Sequence, residues 1–364
     1  MNIPNAPLRY SPSLDLPEKD EREIAEAISA KMHEISDKTF ADGRHAIRAV
    51  HAKSHGLLDA EFEVLGNLPG PLAQGLFATP ARYLAVMRFS TIPGDILDDS
   101  VSTPRGLAIK IVDVPGERLE GSEGASTQDI LMVNGPNFNA PNGKAFLRSL
   151  KLVAPTTDRI EGTKKVISAV LQKVEQLVEA FGGESALAKS LGGEPPHHIL
   201  GETYFTQLPL RHGDYIAKLQ LAPVSPELVA LAGQAVDIGD DPNALRTAVI
   251  EHFRHRGGTW ELRAQLCADI ESMPINYPTK DWDVGQSPFL PVARLTAQPQ
   301  VAWSDERSTQ IDDGMGFSPW HGIEAHRPLG ALMRMRKLAY ARSHQFRSER
   351  NRVPVREPAK YAAE

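Results

Sequence analysis

The sequence predicts an α+β fold in which helices flank and interrupt an antiparallel β core. Three observations carry this expectation. Strand-like runs cluster between residues 60 and 135 and return between 202 and 303, with Gly, Pro and Asp turns between neighbours. Helical periodicity lies before, between and after these blocks. It does not alternate with single strands, which argues against a βαβ domain. The 364 residues can bury a sizeable core without staples, and they contain no internal repeat.

Residues 1–16 carry Pro4, Pro7 and Pro12 and read as an extended arm. After Pro17, residues Ile24, Ala27, Ile28, Met32 and Ile35 recur at helical spacing, so 17–39 reads as an amphipathic helix. Residues 41–55 allow a short helix near Ala46 and then an extended segment. Glu61–Val64, Tyr83–Phe89, Gly106–Val112 and Asp129–Val133 read as strands. A helix is expected over 157–192, with Ile167, Val170, Leu171, Val174, Leu177 and Val178 as its stripe and Gly182-Gly183 and Gly192-Gly193 as breaks. Strands return at 202–222, clearest from Tyr215 to Leu221. Residues 226–257 are helical with an interruption at Asp240–Asn243, and Trp260–Leu266 is a strand. Residues 286–303 read as extended and 306–325 as loop, and an arginine-dense helix fills 329–347.

Composition removes several function classes. Lys and Arg number 40 against 46 Asp and Glu, a net charge of −6 with no block of one sign, which argues against a nucleic-acid partner. At 41% hydrophobic and 24% charged the chain is globular, not disordered. No apolar run is long enough to span a membrane, and the first residues lack the pattern of a secretory signal. Cys267 is the single cysteine, so no intrachain disulfide or cysteine-based zinc cluster can form. These features lead us to expect a soluble, cytoplasmic protein.

Two segments could carry chemistry. In Arg48-Ala49-Val50-His51-Ala52-Lys53-Ser54-His55-Gly56, the two histidines are four apart and could share a metal if helical. The alternative is a surface loop of solvated histidines. In Arg334-Met335-Arg336-Lys337-Leu338-Ala339-Tyr340, Arg336 and Tyr340 share a helix face. A guanidinium beside a phenol favours the phenolate, the form that binds metal. The alternative is a basic solvated helix with one partly buried tyrosine. His197-His198 reads as solvated, the four tryptophans as packing residues and Cys267 as a buried thiol.

Taken in order, Arg48-x-x-His51-Ala52-Lys53, Met87-Arg88-Phe89-Ser90-Thr91, Arg105-Gly106-Leu107-Ala108-Ile109-Lys110 and Arg336-x-x-x-Tyr340 resemble the haem catalases. Phe317-x-Pro319 followed by Gly322-Ile323-Glu324 is similar to the stretch before that family's R-x-x-x-Y helix, and the resemblance spans roughly residues 40–350. The chain is shorter than a typical catalase, so it resembles the small catalase-related peroxidases.

The resemblance implies an antiparallel β-barrel with flanking and inserted helices. It divides the chain into an arm and helix over 1–40 and a haem-binding domain over 41–364. It implies haem b as cofactor, with Tyr340 as the proximal iron ligand and Arg336 as its charge partner. His51 becomes the distal acid–base group, oriented by Ser90. Arg48, Arg88 and Arg347 face the haem propionates, and Phe138 lies against the haem edge. The expected activity is a peroxidase acting on hydrogen peroxide or small organic or lipid hydroperoxides. A fatty-acid hydroperoxide isomerase or allene-oxide-type enzyme, or a haem-binding protein without turnover, is the alternative. An exchanged N-terminal arm makes a homo-oligomer, a dimer, the expected assembly. The family's distal asparagine has no counterpart here; Ser126, Thr127 and Gln128 stand in that stretch as substitutes.

Overall fold

The computed structural model describes residue 3 and residues 5–153 and 194–358. The helix expected over 157–192, with its apolar stripe and glycine pairs, lies outside the described residues. The strands are β1 (Ser54–Val64), β2 (Arg82–Thr91), β3 (Arg105–Ile111), β4 (Gln128–Val133), β5 (Tyr204–Phe205), β6 (Leu210–His212), β7 (Tyr215–Pro223), β8 (Gly258–Leu266) and β9 (Leu290–Ala297). The helices are α1 (Glu21–Gly43), α2 (Gly143–Val153), α3 (Pro226–Val229), α4 (Ala244–His255), α5 (Asp305–Ser308) and α6 (Ala331–Asn351).

All strand pairings are antiparallel, in the order β5-β4-β3-β2-β1-β9-β8-β7-β6. Tyr204 and Phe205 of β5 also pair with Leu221 and Gln220 of β7. That pairing closes eight strands into a barrel and leaves β6 as a hairpin on β7. The α+β barrel expected from the sequence is the fold found.

The barrel is closed because alternate residues of each strand are large and apolar. Leu58, Ala60, Phe62 and Val64 of β1 point inward, as do Met87 and Phe89 of β2 and Leu107, Ile109 and Ile111 of β3. They meet Leu219, Leu221, Trp260, Leu262 and Leu295 in one core. By the same alternation Arg88 and Ser90 of β2, Gly106 and Lys110 of β3, and Asp129 of β4 face outward. That outer wall is not solvated. Leu57, Val86, Ala108 and Leu131 on it pack against Ile311, Met315 and Phe317. Charged side chains are thus buried on the outside of the barrel wall.

Helix α6 lies over this wall and packs on α1 and α2 through Ile24, Ile28, Leu332 and Met335. Arg334 of α6 binds Asp15 and Glu21, and Arg342 binds Glu26 at 2.6 Å. Gly330 precedes α6 at φ +92°, a conformation that favours glycine, and starts the helix at a sharp corner. The proline-bearing arm runs along its own barrel: Leu8 N–H donates to the Cys267 carbonyl and Tyr10 N–H to the Asp214 carbonyl, both at 2.7 Å.

Several local expectations change. No helix forms at Ala46. The Asn351 side chain clasps that residue's N–H and carbonyl, at 2.7 and 2.9 Å, and holds the segment extended. The 306–325 stretch, read as loop, begins with α5 and a π-helical turn over Thr309–Asp313. His198 is buried, with its ring nitrogen accepting from Leu200 N–H, so it is not solvated. Cys267 is buried as expected, and burial pushes its thiol up to about 12.

Candidate functional site

The segment between α1 and β1 crosses the outer wall and carries His51. His51 adopts φ +57°, uncommon for any residue with a side chain. Its N–H donates to the Ile92 carbonyl at 2.7 Å and that of Ala52 to the Pro93 carbonyl at 3.0 Å, which fixes the conformation. The turn aims the imidazole at the β2–β3 wall. Ser90 Oγ lies 3.2 Å from His51 Nδ1 and donates to the Gly106 carbonyl at 3.4 Å. In the tautomer where Nδ1–H donates to the hydroxyl, whose own proton goes to Gly106, Nε2 keeps a free lone pair. Position 106 must be glycine. A Cβ there would stand 2.3 Å from His51 Nδ1. Burial, then the charges of Arg88, Arg336 and Arg48, push the imidazole down to about 3.

Beside His51, two guanidiniums converge on one carboxylate and a third binds the backbone next to it. Arg88 Nε donates to Asp312 Oδ1 at 2.6 Å and Arg48 Nη1 approaches the same oxygen at 3.4 Å. Oδ2 accepts from Ser54 and Ser308 at 2.7 and 2.8 Å. Arg48 also caps the carbonyls of Ile311, Asp312 and Met315, and Arg347 Nη1 caps that of Asp312 at 2.6 Å. The π-helical turn therefore leaves its carbonyls to the arginines. Burial opposes the Asp312 charge, yet Arg88 and Arg48 bring its carboxyl down to about 2.

Asp312 and its neighbour Asp313 offset the three guanidiniums only in part. Arg347 is 1% exposed, and its Nε and Nη2 have no hydrogen-bond partner. Burial and then Arg88 push its guanidinium down to about 10, and burial and then Arg347 and Arg88 lower Arg48. Nε and Nη2 are the pair that grips a carboxylate with two parallel bonds. Together they form a buried fork of the geometry that holds an anion.

On α6, Arg336 Nη2 donates to Tyr340 Oη at 2.7 Å, and Nη1 donates to Met333 Sδ at 3.2 Å. The Arg336 charge is among those that lower the His51 imidazole. Tyr340 also meets the His344 ring edge-on, with centroids 6.5 Å apart.

The structure thus brings together His51, Ser90, Arg48, Arg88, Arg347, Arg336 and, through Arg336, Tyr340. The Phe138 ring packs on Phe146, against the helical cluster of α1, α2 and α6. The proposed substitutes for the distal amide are elsewhere. Ser126 donates to Asp113, Thr127 to Glu357, and the Gln128 amide binds Ile323 N–H. Val133, the β4 partner of Gly106, is five residues from Gln128, about 17 Å along the strand. The His51–His55 metal pair does not form either. His55 lies in β1, fully buried, with Nε2 3.2 Å from Thr91 Oγ1 and Nδ1 3.8 Å from Asp99.

Asp312 escaped sequence reasoning because an Asp-Asp-Gly run in a presumed loop gives no sign of burial. The signal was indirect: two buried arginines and a half-buried one require a counter-charge. A second buried cluster also went unseen. Lys110 Nζ binds Asp129 and Glu357 at 2.6 and 2.5 Å, and His321 Nδ1 reaches the same two carboxylates at 3.2 and 2.9 Å. It ties the chain after α6 to β3 and β4.

No protein-family model matches the sequence, and no curated protein matches it. Solved structures do. A fungal catalase is 17% identical with a TM-score of 0.59, aligned over 86% of this chain and 62% of its own. Catalase A from Saccharomyces cerevisiae is 16% identical with a TM-score of 0.61, over 98% of this chain and 70% of its own. A bacterial catalase is 15% identical with a TM-score of 0.61, over 89% and 62%. The chain therefore spans under two thirds of the fungal and bacterial proteins. The barrel, its covering helix and these alignments together show that this chain has the catalase fold.

Proposed function

We propose that this protein is a haem-dependent peroxidase acting on hydrogen peroxide or organic hydroperoxides. The observation that carries the reading is the buried Arg347 fork, with Nε and Nη2 free beside Arg48 and Arg88. Buried donors without partners cost about 1–3 kcal/mol each, so they point to a missing acceptor. A carboxylate ligand would supply that acceptor and offset the charge that Asp312 and Asp313 leave uncompensated.

Haem fits that requirement through its propionates. Arg48, Arg88 and Arg347 would hold them, and Tyr340 Oη, already accepting from Arg336, would face the iron. Bound there, haem would supply the redox chemistry that splits the peroxide O–O bond. The chain's own residues manage charge and protons. Arg336 stabilises negative charge on the Tyr340 oxygen by donating to it. Ser90 and Gly106 fix the His51 ring, and Nε2 receives a proton from peroxide and returns it to the departing oxygen. Anions bound at the arginines would remove part of the repulsion that lowers His51 and so make it a stronger base. No amide replaces the family's distal asparagine among Ser126, Thr127 and Gln128, which favours peroxidase over rapid disproportionation. Among the described residues no helix is long and apolar enough to cross a membrane.

The test is to load the purified protein with ferric protoporphyrin and supply hydrogen peroxide or a fatty-acid hydroperoxide with an oxidisable dye. Dye oxidation that falls about 10²-fold or more in His51→Ala supports the reading. Oxygen release without dye oxidation would make it a catalase, and a rearranged lipid a hydroperoxide isomerase. Haem uptake without any turnover would leave only a haem-binding role.

A further inference from the structure

Met333 stands one turn before Arg336 on α6. Its sulfur accepts from Arg336 Nη1 at 3.2 Å, while Nη2 of the same guanidinium serves Tyr340. The residue's carbonyl accepts from Trp320 Nε1 at 2.7 Å, which fixes its place. Its side chain is 7% exposed and lines a cavity of about 40 Å³ with Leu131, Leu208, Pro319 and His326. A water needs roughly 10–15 Å³ on this measure, so there is room for a small peroxide and for one added oxygen. Met87, Met132, Met273 and Met335 are more deeply buried and do not line it.

We propose that Met333 is a site of oxygen-atom transfer from peroxide, and that its sulfoxide takes Arg336 away from Tyr340. The choice of peroxide as oxidant rests on the function proposed above. In the step, a sulfur lone pair attacks one peroxide oxygen and the O–O bond breaks. The proton on the transferred oxygen passes to the departing hydroxide, so water leaves, or an alcohol from an organic hydroperoxide. Sulfur is oxidised by two electrons and the peroxide is reduced by two. The adjacent guanidinium stabilises the departing anion. A thioether is a weak acceptor and a sulfoxide a polar one, so Arg336 moves its hydrogen bonding toward residue 333.

The experiment needs no haem. Haem-free protein is treated with hydrogen peroxide or tert-butyl hydroperoxide, digested with trypsin and read by mass spectrometry. Cleavage at Arg334 separates Met333 from Met335, and fragment ions separate it from Met315. Met333 should oxidise about tenfold faster than Met87, Met132, Met273 and Met335, because susceptibility follows access. Nitration of Tyr340 by tetranitromethane, which attacks the phenolate that Arg336 stabilises, should fall as the sulfoxide accumulates and stay constant in Met333→Leu under the same treatment. Oxidation of Met333 no faster than that of Met87, Met132, Met273 and Met335 would overturn the site. Oxidation with unchanged Tyr340 nitration would overturn the coupling. A protein that takes up no haem yet oxidises at Met333 would overturn the peroxidase reading and leave this inference standing.

Discussion

Arg347→Met separates a ligand-binding arginine from a structural one, because the two roles have opposite signs. Without ligand, the wild-type guanidinium is buried with two unpaired N–H groups and lies close to Arg88. Methionine of similar length removes that charge at the cost of the bonds to the Asp312 and Asp313 carbonyls. Replacing a poorly compensated buried charge with an apolar side chain is often neutral or stabilising. The ligand-free variant should therefore unfold within about 1 kcal/mol of wild type or be more stable, since the two effects oppose each other. With ligand, the variant loses two charge-assisted bonds of about 1.5–3 kcal/mol each. Their sum, about 3–6 kcal/mol, weakens binding by roughly two to four decades. Thermal unfolding of the haem-free protein and haem titration followed by absorbance give the two numbers. A variant that is strongly destabilised without ligand yet binds haem as tightly as wild type would refute the ligand fork and leave Arg347 a purely structural arginine.

Three further outcomes follow. Gly106→Ala should cost about 1–3 kcal/mol in thermal unfolding and slow peroxide turnover about 10²-fold by shifting His51, since the new Cβ would stand 2.3 Å from Nδ1; wild-type rates would show that Ser90 and His51 need not meet. Asp312→Asn should destabilise the protein by about 3–5 kcal/mol in urea unfolding, because it strips the buried Arg88 and Arg48 of their shared anion. The ionic cluster after α6 should respond to pH. Burial opposes the His321 charge, but hydrogen bonds to Asp129 and Glu357 raise its pKa to about 9. Its contribution is complete below pH 6.5 and lost as pH rises through about 9, so hydrogen exchange near Gly314–Phe317 should accelerate in that window in wild type and less so in Glu357→Gln.

The fold was legible in the sequence because the barrel strands alternate cleanly and their turns carry Gly, Pro or Asp. Even the outward position of Arg88 and Ser90 follows from the period-two pattern. The site was legible in part. His51, Ser90, the three arginines and the Arg336–Tyr340 pair could be named from motif order; Arg88, Ser90, Arg336, Tyr340 and Arg347 lie within a strand or helix that fixes their direction, whereas Arg48 and His51 lie on the segment before β1. What stayed hidden depends on contacts distant in sequence. Asp312 reaches Arg88 across more than two hundred residues, and Glu357 reaches Lys110 across a similar span. His55 could not be assigned because its burial against Asp99 depends on a loop, not on the strand that carries it. The Ser126–Gln128 stretch misled because similarity of position in a motif does not fix which neighbour takes each hydrogen bond.

The proposed function depends most on Tyr340, which would ligate the iron of a bound haem. The most direct measurement is the absorption and electron paramagnetic resonance spectra of the haem-loaded wild type, beside Tyr340→Phe, before and after peroxide. We expect a high-spin ferric signal with phenolate-to-iron charge transfer in wild type, a Soret band that moves on adding peroxide, and loss of the charge-transfer feature in the variant. Identical spectra for the two proteins, or no Soret band after loading with excess haem, would contradict it.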